Sequence, residues 1–165
     1  MLIYKNGDAS IPEKKNIVIM HVVNNLGYWG KGFVLALSNR YPNIKKKYKD
    51  YCDSYSDKKD LLGNVQTFNM GDCFVANLFA QNGIYSKTNP TPIDYHALTE
   101  SLNALYDLVI LHYKNNGILY QIQCPKNMGA GLARGSWSKI ENIIIDCLIN
   151  KPIELDATVF DFDGK

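Results

Sequence analysis

The sequence predicts an α/β protein in which helices cover both faces of a central sheet. Short apolar runs alternate along the chain with longer segments whose apolar residues recur at helical spacing. One run, 17–23 (IVIMHVV), is apolar on both faces, as expected of a central strand in a parallel sheet. With 165 residues, 46% hydrophobic and 21% charged, the chain suits one domain, which we expect to span 1–165.

The first part of the chain is predicted as two strands followed by two helices. Residues 2–5 and 17–23 form short apolar runs typical of strands. Residues 33–41 and 43–52 are predicted as helices, because their apolar residues recur three and four positions apart. The stretch 53–60, rich in Ser, Asp and Lys, is predicted to be a surface loop.

The rest of the chain continues the alternation. We predict two strands joined by a tight turn, then a long helix, a strand of alternating polarity, a helix and a final strand. Their bounds are 65–69, 73–80, 94–114, 118–124, a helix that begins at Trp137, and 153–162.

Charge and hydropathy exclude several classes of protein. The net charge is only +2, and the lysine-rich run 45–49 is interpreted as the solvated face of a helix, so nucleic acid is not an expected partner. No apolar run approaches the roughly 18 residues of a membrane span. The first eight residues include Lys5 and Asp8 and lack an apolar stretch, so no signal peptide is expected.

The four cysteines show no CxxC spacing and no neighbouring histidine cluster. We predict that they are buried thiols of a reducing compartment, and we expect a cytoplasmic monomer without metal or cofactor. They are Cys52, Cys73, Cys124 and Cys147.

Two glycine-rich segments, 24–33 (NNLGYWGKGF) and 125–137 (PKNMGAGLARGSW), each lie between a predicted strand and a helix. Glycine lets backbone N–H groups approach a ligand closely, and a helix N-terminus attracts anions. Ligands of α/β sheets bind at the carboxyl ends of strands, so the two loops together predict a diphosphate site that includes Lys31 and Arg134. The alternative is that both are tight connections that need glycine only for turn geometry.

Two better-known phosphate-binding patterns are absent. The third glycine of a dinucleotide fingerprint comes one position late, at Gly135, and only one predicted strand follows this loop. A GxxxxGK[ST] pattern does not occur in the sequence, which excludes a P-loop.

Short motifs spread over nearly the whole chain resemble the macrodomain family of ADP-ribose binders. They are Gly7-Asp8, 21–24 (HVVN), 30–33 (GKGF), 75–77 (VAN), and 129–132 (GAGL) followed by Trp137. The chain looks like the short branch that includes ADP-ribose 1″-phosphate phosphatases and terminal ADP-ribose glycohydrolases. This resemblance implies a three-layer α/β/α fold around a mixed sheet of about six strands.

The resemblance also implies which residues bind the ligand. Asp8 would accept a hydrogen bond from the adenine amino group with Ala9 beside it, while Phe162 would pack on adenine. Asn24 and 30–32 would hold the distal ribose and phosphate, and 129–133 would cradle the diphosphate. The full implied set is Asp8, Ala9, Asn24, Trp29, Gly30, Lys31, Gly32, Met128, Gly129, Ala130, Gly131, Leu132, Ala133, Arg134 and Phe162.

Several of these residues also have purely structural interpretations. Asp8 could cap a turn, and Asn24 could form a polar turn. Phe162 could belong to the core or the tail. Trp29 could line the pocket or shield it from water, and its indole N–H needs a partner in either case.

The resemblance further implies what chemistry to expect. The glycohydrolase branch uses a Lys and an Asp, and the matching positions hold Gln81 and Ala133, which can neither form a covalent adduct nor move a proton. We therefore expect a metal-independent phosphatase acting on ADP-ribose 1″-phosphate. The alternatives are a non-catalytic ADP-ribose reader and an ADP-ribosyl or O-acyl-ADP-ribose hydrolase.

Four residues are expected to carry the phosphatase reaction, namely His21, Asn24, Lys31 and Gln81. Lys31 would neutralise charge on the phosphoryl group, and His21 and Gln81 would orient water. The competing interpretation of His21, which lies on a buried strand, is a hydrogen-bonded core histidine.

Overall fold

A six-stranded sheet between two layers of helices forms the centre of the structure, a computed structural model that describes residues 1–162. In chain order the elements are β1 (Leu2–Asn6), β2 (Ile17–Asn24), α1 (Phe33–Arg40), α2 (Ile44–Asp53), a 3₁₀ helix (Lys58–Leu61), β3 (Val65–Asn69), β4 (Phe74–Gln81), α3 (Tyr95–Asn116), β5 (Gln121–Pro125), α4 (Trp137–Ile144) and β6 (Ala157–Asp161).

The strands lie in the order β1-β6-β5-β2-β4-β3. All neighbouring pairs are parallel except β3 with β4, which form the predicted antiparallel pair. The carboxyl ends of β1, β6, β5, β2 and β4 therefore share one edge of the sheet. Both glycine-rich loops leave from this edge, since one follows β2 and the other follows β5.

The core has two parts, one on each face of the sheet. Alternate residues of β2 point to opposite faces, so Ile19 packs with α1 and α2 while Met20 packs with α3 and α4. Both side chains are fully buried, as predicted for a central strand. The three-layer α/β/α fold and its mixed sheet are confirmed.

Two predicted strands are shorter than expected. α3 continues to Asn116 and ends at Gly117, whose left-handed φ of 73° reverses the chain. Residues 118–120 then lead back to the sheet, so β5 begins only at Gln121. At the other end, the backbone of Ile153 is held by the Tyr106 hydroxyl instead of a strand partner, and β6 begins at Ala157.

Two other segments also differ from expectation. The predicted surface loop 53–60 runs into the 3₁₀ helix, whose first turn is capped by the Asp57 carboxylate accepting from the Lys59 N–H at 3.0 Å. Leu61 at the end of this helix is fully buried and packs in the core on the α1 and α2 face. The last helix is not uniform, since a π turn over Ile145–Ile149 follows α4.

The predictions on the cysteines and on membrane spans do not depend on any single element of the fold. The four cysteines are buried and carry free thiols, as predicted. Among residues 1–162, no helix combines the length and the apolar character that crossing a bilayer requires.

Candidate functional site

A cavity of about 1040 Å³ opens at the carboxyl ends of β2, β4 and β5, between the two glycine-rich loops. Its volume is ample for a small-molecule ligand. The structure brings most of the predicted site residues to this cavity. These are His21, Asn24, Gly30, Lys31, Gly32, Gln81, Met128, Gly129, Ala130, Gly131, Leu132, Ala133 and Arg134.

The charges around the cavity suit an anionic ligand. Lys31, Lys126 and Arg134 line it, and the lining within the described chain includes no Asp or Glu. The Arg134 guanidinium stacks on the Tyr85 ring at 4.1 Å from its centroid. Nowhere in residues 1–162 do three or more His, Cys, Asp or Glu side chains form a group that could hold a metal ion.

The loop after β5 is closed at its base and open at its tip. The Gly135 N–H donates to the Gly129 carbonyl at 2.9 Å, and a Cβ at Gly135 would lie 2.6 Å from that oxygen. At the tip, the N–H groups of Gly131, Leu132 and Ala133 make no hydrogen bond to residues 1–162. Such a row of free donors is the ordinary way in which backbone binds phosphate oxygens.

The glycines of the two loops fall into two groups, and only one group can be explained by turn geometry alone. Gly32 and Gly129 have left-handed φ angles of 80° and 77°, so backbone geometry alone explains them. Gly30 and Gly131 have no such φ, and a Cβ at either would meet no atom within 4 Å. Turn geometry therefore does not explain these two glycines, whereas close approach of a ligand to the backbone does.

Asn24 holds the first loop in place. Its Oδ1 accepts from the Leu26 N–H (3.0 Å) and the Tyr28 N–H (3.1 Å), and the Tyr48 hydroxyl donates to its backbone carbonyl at 2.6 Å. Its Nδ2 donates to the Tyr28 carbonyl at 2.8 Å, which leaves one N–H of the amide. The polar-turn interpretation of Asn24 is thus present in the structure, and Asn24 also lines the cavity.

His21 is a neutral imidazole held under the cavity. Only 2% of its surface is exposed, and burial lowers its pKa to about 4. Its Nε2 hydrogen-bonds to Oδ1 of Asn77, the facing residue on β4. The Trp29 and Phe33 rings pack around it, each with its centroid 5.6 Å away.

Trp29 lies behind the cavity and does not line it. It is 3% exposed, and its ring packs on Tyr48 at 5.1 Å as well as on His21. Its indole N–H has no hydrogen-bond partner within the described chain. Of the two interpretations, the arrangement favours the one in which Trp29 shields the pocket from water.

The predicted adenine residues lie outside the main cavity, beside β1 and β6. Oδ1 of Asp8 accepts from the N–H and hydroxyl of Ser10 at 2.9 and 2.7 Å, so Asp8 does cap a turn. Gln123 of β5 anchors this segment, because its Nε2 donates to the Ala9 carbonyl at 2.8 Å. Phe162 directly follows β6 and is 60% exposed, so it is not a core residue.

Gln81 and Ala133 both line the cavity, although they lie far apart in the sequence. Gln81 ends β4 beside Asn24 of β2, and its Nε2 donates to the Gly83 carbonyl at 3.0 Å. Neither residue supplies an amine nucleophile or a carboxylate.

Sequence reasoning missed several residues at the rim. Tyr28 and Lys126 lie inside the two glycine-rich loops and could have been included on that ground. Ile84 and Tyr85 lie in the loop after β4, and no local pattern marked them.

No protein-family model matches the sequence. A curated protein of Lodderomyces elongisporus named ADP-ribose 1″-phosphate phosphatase is 26% identical over 165 residues, which cover 97% of this chain and 98% of that protein. A solved protein of unknown function from Bacteroides thetaiotaomicron is 34% identical, with a TM-score of 0.84 and 98% of both chains covered. A macrodomain protein from Streptomyces coelicolor is 32% identical, with a TM-score of 0.77, and the match covers 98% of this chain and 99% of that one.

Proposed function

The chain belongs to the macrodomain family, and on this premise we propose that it binds ADP-ribose and hydrolyses ADP-ribose 1″-phosphate to ADP-ribose and inorganic phosphate. The curated relative from Lodderomyces elongisporus is named as this phosphatase, and the match covers 98% of its length. The observation that carries the proposal is a cationic cavity between the two glycine-rich loops, with free backbone N–H groups at Gly131, Leu132 and Ala133.

The order of groups along the sheet edge supports the same ligand. Asp8 follows β1 and Phe162 follows β6, then come the tip residues 129–133 after β5, the loop 30–32 after β2, and Gln81 at the end of β4. Five adjacent strands about 4.8 Å apart span roughly 19 Å. An extended ligand with a base at one end, a diphosphate in the middle and a ribose at the other end matches this sequence of groups.

The proposed reaction is a phosphoryl transfer to water. The oxygen of a water molecule bonds to phosphorus, the bond between phosphorus and the anomeric ribose oxygen breaks, and one proton of the water passes to that ribose oxygen. Charge on the phosphoryl oxygens is stabilised by the Lys31 ammonium group and by the backbone N–H groups of 30–32, which make no hydrogen bond to residues 1–162. His21 and Gln81 orient the water, since both line the cavity near Asn24.

The same site is poorly suited to glycohydrolase chemistry. Gln81 and Ala133 occupy the positions at which the resemblance calls for a Lys and an Asp. The cavity lining in residues 1–162 contains no carboxylate that could replace the latter. We therefore propose little or no release of ADP-ribose from modified glutamate side chains or DNA.

The deciding experiment measures phosphate release from ADP-ribose 1″-phosphate in parallel with release of ADP-ribose from modified protein and DNA. We expect turnover of the first substrate only, with no loss in EDTA. Lys31→Met should reduce the rate at least about tenfold, the effect of about 1.4 kcal/mol in the transition state. Lys45→Met, an exposed change on α2, is the matched control and should leave the rate unchanged. Efficient glycohydrolase turnover would contradict the proposal.

A non-catalytic ADP-ribose reader is the second candidate. It is favoured by the lack of any carboxylate in the described cavity lining and by the burial of His21, the one histidine that lines it within residues 1–162. Micromolar binding of ADP-ribose, equivalent to about −8 kcal/mol, without turnover of either substrate would establish the reader instead.

We also propose that a cytoplasmic monomer carries the activity. The four buried free thiols support a reducing compartment. Sedimentation of the purified protein as a species of about 18.7 kDa tests the monomer.

A further inference from the structure

A row of three polar side chains crosses the sheet through an otherwise apolar layer. His21 on β2, Asn77 on β4 and Gln66 on β3 are register neighbours on the face covered by α1 and α2. The residues two positions away on these strands, such as Ile19 and Phe79, are fully buried hydrophobics. His21 and Asn77 are themselves buried, so their polar groups need hydrogen-bond partners, whereas Gln66 is half-buried at the outer end of the row.

The direction of the hydrogen bonds along the row is set at its outer end. Nε2 of Gln66 donates to the backbone carbonyl of Lys47 at 3.3 Å, and a carbonyl can only accept. Oε1 of Gln66 therefore accepts, and it does so from Nδ2 of Asn77 at 3.2 Å. Turning either amide over would bring two acceptor oxygens face to face.

The direction passes on to the histidine. Because Nδ2 of Asn77 is committed to Gln66, its Oδ1 is the atom that meets Nε2 of His21. An oxygen without a proton can only accept, so Nε2 must carry the imidazole proton. In the neutral ring, Nδ1 is then an unprotonated acceptor.

Nδ1 remains free for the cavity. It makes no hydrogen bond to residues 1–162. The buried side-chain atoms that lack a partner in this part of the chain are Trp29 Nε1 and His112 Nε2, so Nδ1 of His21 is accessible at the surface of the cavity. The other contacts of the ring are the uncharged Trp29 and Phe33 side chains, and His21 lines the cavity. Burial keeps the imidazole neutral, with a pKa of about 4.

We propose that Asn77 and Gln66 are positioning residues that hold His21 in the Nε2–H tautomer, so that Nδ1 accepts a hydrogen bond from an O–H group in the cavity. The identity of that group, a water or a ribose hydroxyl at the reacting end, rests on the proposed function. The tautomer and its dependence on the polar row do not.

The tautomer can be read directly by long-range ¹H–¹⁵N NMR of the labelled protein at pH 7. We expect a protonated-type shift at Nε2 and an unprotonated-type shift at Nδ1 for His21. A proton on Nδ1 of His21 would overturn the proposal, whatever the activity of the protein.

Paired variants of Gln66 test its positioning role. Gln66→Glu loses the donor to the Lys47 carbonyl but keeps an acceptor for Asn77, so it should preserve the tautomer. Gln66→Leu removes that acceptor and should let the Asn77 amide turn and populate Nδ1–H. With ADP-ribose 1″-phosphate, Gln66→Leu should lower kcat at least about fivefold with KM changed less than about twofold, and Gln66→Glu should restore most of kcat. Thr67→Val, an exposed neighbour on β3, is the matched control.

The outcomes separate this inference from the proposed function. An Nε2–H tautomer that is lost in Gln66→Leu supports the polar row even where no phosphate is released, and only the phosphatase would then be wrong. A Gln66→Leu protein that folds and keeps a pure Nε2–H tautomer contradicts the positioning role. Should Gln66→Leu fail to fold, Gln66→Met decides instead, because its longer side chain fills more of the same space while still removing the amide acceptor for Asn77, and it should likewise populate Nδ1–H.

Discussion

Single side chains at this site combine structural and ligand-facing contacts. Asn24 was expected to bind ribose or to form a polar turn, and its side-chain amide makes three hydrogen bonds that hold the loop over 24–28, while its backbone carbonyl accepts from Tyr48. An alanine at this position would disrupt the loop and the site together. Variants that preserve one contact while removing another are therefore more informative than truncations.

Asp8 allows such a separation. In Asp8→Asn, the remaining Oδ1 can still accept from Ser10 and cap the turn, but the second oxygen is replaced by an N–H₂ group that cannot accept from adenine. We expect ADP-ribose to bind more weakly by about 1–3 kcal/mol, measured by isothermal titration, with unchanged thermal stability. Ser10→Ala, which removes only the hydroxyl, should leave affinity nearly unchanged. If Asp8→Asn keeps full affinity for ADP-ribose, then Asp8 only caps a turn and does not contact adenine.

Burial of His21 should make stability depend on pH. Its pKa is about 4 in the folded protein against an ordinary value of 6.5, so the unfolded chain binds a proton at higher pH than the folded one does. The stabilisation is complete above pH 6.5 and is lost as the pH falls through this window. From pH 7.5 to 4.5, wild type should lose about 2.5 kcal/mol more unfolding free energy than His21→Gln. Urea titrations check this, and equal losses in both proteins would contradict the burial effect.

At the scale of elements, the two βα loops make the site because their strands are adjacent. β2 and β5 pair in parallel, so loops that lie about a hundred residues apart in sequence meet at one edge. The loop after β5 is held by its own Gly129–Gly135 hydrogen bond, and its tip does not require glycine for the fold.

A charge at the tip of the second loop should therefore abolish binding without harming the fold. Gly131→Glu places a carboxylate in open space beside the phosphate donors, so we expect ADP-ribose binding to be lost and unfolding free energy to change by less than about 0.5 kcal/mol. Gly131→Gln, which has the same shape without the charge, should retain more affinity. Thr67→Glu adds the same charge on the far strand and should bind normally. If Gly131→Glu binds ADP-ribose as tightly as wild type, the loop only connects β5 to α4 and does not bind the ligand.

On the scale of the whole molecule, we expect residues 1–165 to behave as one cooperative unit. Both core layers share the strands of one sheet, so neither is stable without the other. ADP-ribose at 100 times its Kd should stabilise the protein by about 2.7 kcal/mol and raise Tm by roughly 5–10 °C. AMP at the same concentration should raise Tm less, since it lacks the distal ribose and phosphate. Calorimetry that resolves two transitions would contradict the single unit.

The sequence by itself determined the properties that depend on neighbouring residues. Apolar periodicity predicted the alternation of strands and helices, and the two-faced apolar run 17–23 predicted the centre of the sheet. Glycine content located both loops and their place after strands. These features follow from local backbone geometry and from which side chains share a face, and both are readable within a short window of sequence.

Only the tertiary structure decided which distant residues meet. The strand order brings Gln81 beside Asn24, and the loop after β4 places Tyr85 on Arg134. The direction of the polar row, and with it the tautomer of His21, depends on a backbone carbonyl of α2. Contacts of this kind are set by the packing of elements that are far apart in sequence, where many pairings are compatible with the same local pattern and only the shared core selects one.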